Sequence, residues 1–200
     1  MPRKTDSIST PSGWPMDVTY ITSQNYAAEF QFKLKQRVGG IEGGKAMTEG
    51  SKSSWVSIEV ISSSSHPANG QKGLFATRKI PPKTHILDYL GEVHADDRDD
   101  SDYDLSLLRL STSEAISLGV GDEPISIGVD AQDMGNEARF INDYRGVAES
   151  PNVEFKDHVV GGELRMGVFS GPKGVGKGKE ILVSYGKGWW KARNEDWGGV

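Results

Sequence analysis

The 200-residue chain contains no cysteine. That excludes disulfides, thiol nucleophiles and cysteine-ligated zinc. It also lacks any apolar run near the roughly 20 residues that a membrane span needs. The first residues, MPRKTDSISTPSGWP, have no apolar core of signal-peptide length. The expectation is a soluble, intracellular protein. Positive charge is in short supply too: the net charge is −5, so there is no global electrostatic grip on nucleic acid and no direct nucleic-acid site is evident. An acidic chain suits a basic partner.

What the chain does have is glycine, 25 residues of it, which favours turns and irregular β structure over helix bundles. Its length suits one main domain with an appendage. Residues 1–18 are rich in Ser, Thr and Pro and read as disordered. Segment 19–38 is ambiguous: Phe30, Phe32 and Leu34 alternate like a strand, while Ala27, Phe30 and Leu34 fit a helix face. GGIEGGKAMTEGSKSS (39–54) reads as a linker or long loop. The division is therefore a flexible or partly ordered extension (1–54), a main domain (55–186) and an aromatic C-terminal segment (187–200).

From Trp55 onward the pattern is β. Val56, Ile58 and Val60 alternate with polar residues. Strands are expected over 84–93, 103–110, 125–129, 152–160, 162–169 and 179–185. Leu164, Met166 and Val168 alternate with Arg165 and Gly167, which predicts one buried face. Gly161-Gly162 marks a hairpin. Helix is scarce, with a short piece over 135–141 and a turn near 187–193. The class is mainly β.

Several stretches invite a chemical reading. GPKGVGKG (171–178) matches G-x-x-x-x-G-K, but Gly178 fills the position that needs a hydroxyl, and a β-branched strand follows where a helix must stand. It reads as a loop between strands. Run 92–104, EVHADDRDDSDYD, carries seven acids against Arg98. It is either a solvated surface loop or a patch that steers a basic peptide. His66, His85, His94 and His158 show no metal-ligand spacing, so no metal site is expected and surface or core roles are assigned to them. Tyr89 and Tyr185 lie in strands close to Gly91 and Gly186. On their own they read as core tyrosines with bonded hydroxyls.

Order and spacing change that reading. GLFATRKIPPKTHILDYLGEV (73–93) resembles a turn G-x-G-L leading to a strand that ends Y-x-G-E. GNEARFINDYRG with PNVEF (135–155) resembles G-N-x-A-R-F-x-N-H-S with P-N. GKEILVSYG (178–186) resembles G-E-E-I/L-x-x-x-Y-G, and ISIGVDA (125–131) resembles the strand before the Asn motif. All stand in the order found in the SET domain, a protein-lysine methyltransferase family. The resemblance implies several small curved β-sheets, few short helices and a knot-like C-terminal threading. It also implies S-adenosylmethionine as methyl donor, entering from the face opposite the lysine.

Carried over residue by residue, it makes Tyr185 and Tyr89 the catalytic tyrosines. Gln71, Lys72, Gly73, Arg139, Asn142, Asp143, Tyr185 and Trp189 become the donor site. Tyr89, Phe155 and Val183 become walls of the lysine channel. Its further implications are a basic protein or peptide substrate, a histone foremost, and residence in nucleus or cytoplasm. A SET fold that has lost activity and serves as a scaffold or peptide reader is the alternative. The chain departs from the pattern at Gln71 (with Gly70 one place early), at Asp143 where the family has His, at Tyr144-Arg145 and at Val153. The zinc closure of relatives cannot form, and Gly186 to Trp190 with Trp197 are expected to cover the site by ring packing.

The chemistry needs no dedicated base. A lysine amine titrates near 10.4, so freeing its lone pair at pH 7 costs roughly 4–5 kcal/mol. A cationic donor about 4 Å away opposes the ammonium by roughly 4 kcal/mol at an effective dielectric near 20. An apolar channel adds to this.

Overall fold

The computed structural model describes residues 10–39, 53–186 and 189–190. In chain order the strands are β1 (Thr19–Tyr20), β2 (Asn25–Tyr26), β3 (Val56–Val60), β4 (Lys72–Ala76), β5 (His85–Tyr89) and β6 (Glu92–His94). They continue with β7 (Asp104–Leu110), β8 (Ile125–Asp130), β9 (Met134–Gly135), β10 (Asn142–Asp143), β11 (Val153–Val160), β12 (Glu163–Ser170) and β13 (Leu182–Val183). The helices are short: α1 (Phe32–Arg37), α2 (Thr112–Leu118) and a 3-10 turn (Glu137–Phe140). The fold is mainly β, in several small sheets. No helix among the described residues is long and apolar enough to cross a membrane.

Two compact units interleave along the chain. The described part of the first comprises 10–39, 89–139 and 159–165. Its sheet has the order β2-β6-β8-β7, with a register break between Ser106 and Leu108. Val93, Leu110, Ala115, Ile127 and Val129 fill its core. β1 runs parallel to β9, so segment 19–38, ambiguous in the sequence, supplies short strands and then a helix. Leu34 is buried on that helix. Gly91 must lack a side chain, because an added Cβ would stand 2.2 Å from the Asp130 carbonyl oxygen.

Helix α2 is absent from the sequence expectations. Ser111 caps it in a reciprocal box with Glu114, and Gly119 closes it at φ 63. The hairpin at Gly161-Gly162 forms with positive φ at both residues (58 and 92). Its strand β12 corrects the one-face expectation: Arg165 is buried along with Met166 and Val168. Arg165 tolerates burial because its Nε donates to Glu163 Oε2 at 2.7 Å.

The acidic run forms a knit structure around its one cation. Arg98 donates to Glu92, Asp96 and Asp130. His94 is 2% exposed and faces an acceptor at each ring nitrogen, the Asp96 carbonyl at Nδ1 and Asp104 Oδ1 at Nε2. Burial pushes its pKa down, but the hydrogen bond and charge of Asp104 outweigh this and raise it overall. A raised folded pKa stabilises fully below the unfolded value near 6.5, and the gain disappears as pH rises through the folded value. Thermal unfolding should therefore show stability falling as pH rises above about 6.5, and Asp104→Asn should flatten that slope. An identical slope in the variant would remove His94 from this role.

The second unit comprises 53–88, 140–158, 166–186 and 189–190. β3 and β4 pair antiparallel. β10 and β13 pair parallel, Asn142 with Leu182 and Asp143 with Val183. β11, β12 and β5 form a three-stranded sheet whose hairpin tip, 159–165, and last residue, Tyr89, belong to the first unit. Leu74, Ile80, Ile141, Val168 and Ile181 are buried in the core of the second unit. The 171–178 loop lies between β12 and β13, and no helix stands between it and β13. Four of its amides donate to carbonyls, among them Val175 to Ile80 and Gly178 to Ala76.

Candidate active site

The 179–186 segment does not form the long strand expected over 179–185. It is threaded among three other segments and bonds to each only briefly. Ile181 N–H donates to the Leu74 carbonyl (2.7 Å), and the 182–183 pair lies beside β10. On its remaining side stands Asn152. That side chain accepts from Leu182 N–H (2.9 Å) and donates to the Glu180 carbonyl (2.7 Å), acting as a one-residue strand. Divided hydrogen bonding of this kind gives threading in place of a ladder.

Threading places Glu180 beside the 70–73 turn. Asn142 Nδ2 donates to Glu180 Oε1 (2.9 Å) and, at 3.4 Å, to the Lys72 carbonyl. Glu180 Oε2 is 2.9 Å from His66 Nε2. His66 Nδ1 accepts from Ala68 N–H, so Nε2 carries the proton that Glu180 receives. Gly73 has no room for a side chain, since an added Cβ would meet Glu180 Oε1 at 2.8 Å. The positive φ of this turn falls at Gly70 (85), which explains why the glycine stands one place early. Gln71 is exposed, and both of its main-chain groups are bonded within the turn: its N–H to Ala68 and its carbonyl to Ile61 N–H.

The second cluster centres on Asp143, whose side chain is 6% exposed. Its Oδ2 accepts from Tyr185 N–H (2.8 Å), Trp190 Nε1 (3.2 Å) and Arg145 Nη1 (3.2 Å). Oδ1 accepts from Arg145 N–H at 2.8 Å. The Tyr185 hydroxyl donates to the Ile141 carbonyl (2.8 Å). Tyr185 thus grips the Asn motif at two points, one on each side of Asn142. The Trp189 ring meets Tyr185 edge-on at 4.7 Å and Trp190 at 5.0 Å. Arg145 lies over the Trp190 ring at 5.2 Å.

Of the residues singled out from the sequence, the second unit holds Gln71, Lys72, Gly73, Asn142, Asp143, Phe155, Val183, Tyr185 and Trp189. Val183 is buried on β13 and Phe155 is half-buried on β11. Tyr89 and Arg139 belong to the first unit. There the Tyr89 hydroxyl donates to the Tyr103 carbonyl (2.8 Å) and the Arg139 guanidinium stacks 4.1 Å over the Tyr103 ring. Arg139 Nε donates to the Ala131 carbonyl. Lys187, Gly188 and Trp197 lie outside the described residues, as do 1–9, 40–52 and the other residues from 191 on.

Sequence reasoning missed Glu180, His66, Asn152 and Trp190's bond to Asp143. Glu180 had a signal, since it is the acid of the last motif. His66, inside a run of serines, had none.

A family model of the SET domain matches residues 71–186. A candidate histone-lysine N-methyltransferase of Arabidopsis thaliana, ASHH4, is 27% identical over 113 residues, which is 56% of this chain and 30% of that protein. In a structure of the Chaetomium thermophilum polycomb repressive complex 2 bound to GSK126, one chain is similar in fold. Its TM-score is 0.51 at 22% identity, over 73% of this chain and 17% of that one. Another structure of that complex aligns with TM-score 0.48 at 26% identity, over 69% and 16%. The chain spans less than a third of the Arabidopsis relative and about a sixth of the polycomb chains.

Proposed function

Because the chain belongs to the SET domain family, we propose that it is a protein-lysine N-methyltransferase whose catalytic domain runs over 55–186. S-adenosylmethionine supplies the electrophilic methyl group. The residues present fit it. Glu180 and the Lys72 carbonyl converge on the Asn142 amide, which places acceptor oxygens where the ammonium of an amino-acid head group can meet them. The Tyr185 and Trp189 rings offer faces to a cation or a base. Gln71 and Gly73 shape the turn beside them.

One observation carries the reading: the Tyr185 hydroxyl spends its proton on the Ile141 carbonyl. That bond orients the hydroxyl oxygen, and a phenol oxygen can accept from an incoming neutral amine. An amine so held keeps its own lone pair free for the methyl carbon, and alignment is the main gain. Phe155 and Val183 are the residues of this unit assigned to the lysine channel. The exposed acids Asp96, Asp97, Asp99 and Asp100 support a basic partner, a histone tail in chromatin. Residence in the nucleus goes with that substrate.

Calorimetry with S-adenosylmethionine tests the donor site. Asn142→Ala should weaken affinity about tenfold, the cost of one hydrogen bond and a stranded Glu180 partner. Equal affinity in variant and parent would take Asn142 out of the site. Tight binding without any methyl transfer would favour the inactive scaffold.

A further inference from the structure

A second cluster in the same unit takes no part in the chemistry above. His85 and Asp88 stand on β5 and His158 on β11, the two strands that flank β12. His85 Nε2 lies 2.8 Å from Asp88 Oδ1, and His158 Nε2 lies 2.7 Å from the same oxygen. The three ligand-type atoms all fall within 4.8 Å of one another. Flanking strands are about 9.5 Å apart, twice the spacing of neighbours, so their side chains meet only if the middle strand leaves room.

Gly167 of β12 leaves that room. A Cβ built there would stand 2.9 Å from His158 Nε2 and 2.6 Å from Phe169 Cε2. The Phe169 ring walls the cluster at 5.0 Å from the His85 ring and 5.5 Å from the His158 ring. Side-chain exposure is 41% for His85, 23% for His158 and 11% for Asp88. The carboxylate is anchored, while the imidazoles remain open to water on one side.

We propose that His85, Asp88 and His158 form a binding site for a divalent d-block cation of the zinc class. Two imidazoles and one carboxylate are the donor set such ions prefer, and alkaline-earth ions prefer oxygen alone. Without metal, Asp88 Oδ1 takes the place of the ion as partner to both Nε2 atoms. Ligation needs each imidazole as its Nδ1–H tautomer with the Nε2 lone pair on the ion. Ligand bonds of about 2.0–2.1 Å in tetrahedral geometry place ligand atoms about 3.3 Å apart. The 2.7 and 2.8 Å contacts need open by well under 1 Å, a side-chain adjustment at an exposed histidine. The bound ion ties β5 to β11 over β12, and β5 leads directly into Tyr89.

The test is a titration of the tag-free full chain with zinc chloride by calorimetry, repeated with Co2+ by visible absorption. One ion per chain is expected, with a rise in unfolding temperature. His85→Ala, His158→Ala and Asp88→Asn should each weaken binding at least tenfold. Should an alanine variant misfold, His158→Gln keeps polarity and hydrogen bonding but replaces the imidazole nitrogen with an amide, a poor ligand for such ions, and serves instead. Absence of saturable uptake by the parent chain overturns the site. So does unchanged affinity in the folded histidine variants, or Mg2+ binding as tight as Zn2+.

Discussion

Tyr185→Phe should lower methyl transfer about 100-fold and leave donor affinity nearly unchanged, in the range seen when one preorganised polar group is removed from a reacting centre. The phenol ring stays, packed edge-on against Trp189 at 4.7 Å, so the pocket keeps its wall. What goes is the oxygen that the Ile141 carbonyl orients from 2.8 Å. The stability cost of that one bond is about 1 kcal/mol, too small to unfold the domain. A fall in kcat with little change in the donor's Kd separates lost alignment from lost binding. Turnover equal to the parent's would move the methyl-transfer point away from Tyr185.

Asp143→Ala should be the most damaging single change for the fold around the site. Its carboxylate is buried and gathers Tyr185 N–H, Trp190 Nε1 and Arg145. Truncation strands the first two donors, at about 3 kcal/mol together. The half-exposed Arg145 adds little. Because Asp143 pins the main chain at Tyr185, transfer should fall at least tenfold as well. Asp143→Asn keeps an acceptor oxygen and should retain most of the stability. Denaturant unfolding of the three proteins measures this, and a midpoint for Asp143→Ala matching the parent's would contradict it.

Asp143 also marks what the sequence could convey. It stands where the family has His, and from the motif alone it reads as a weakened donor contact. Besides Arg145, two of its partners come from 42 and 47 residues downstream, a distance over which no periodicity operates. Ring packing at Trp189 and Trp190 was legible in the aromatic run. The indole bond to a carboxylate was not.

The strands expected over 103–110, 125–129, 152–160 and 162–169 stand within a residue of those ranges, but burial alternates poorly: Val60 is exposed and Arg165 to Val168 are all buried. Periodicity fails over 179–185 because the segment divides its hydrogen bonds among Leu74, β10 and Asn152. Helix α2 was legible in Ser111, Glu114 and Gly119, a capping signature that a search for β alternation passes over. The resemblance assigns Gly73 to the donor site, and an added Cβ there would meet the Glu180 carboxylate first, a contact that no motif spacing conveys. The His85, Asp88 and His158 cluster had no linear signal at all, since a glycine on a third strand makes it possible.

The most direct measurement is methyl transfer from labelled S-adenosylmethionine to core histones and nucleosomes, with mass spectrometry to locate the label and Tyr185→Phe as the control. Label on a lysine Nε, largely lost in the control, is the expected result. A parent protein that neither binds the donor nor labels any lysine would contradict a methyl-transfer site built on Asn142, Glu180 and Tyr185.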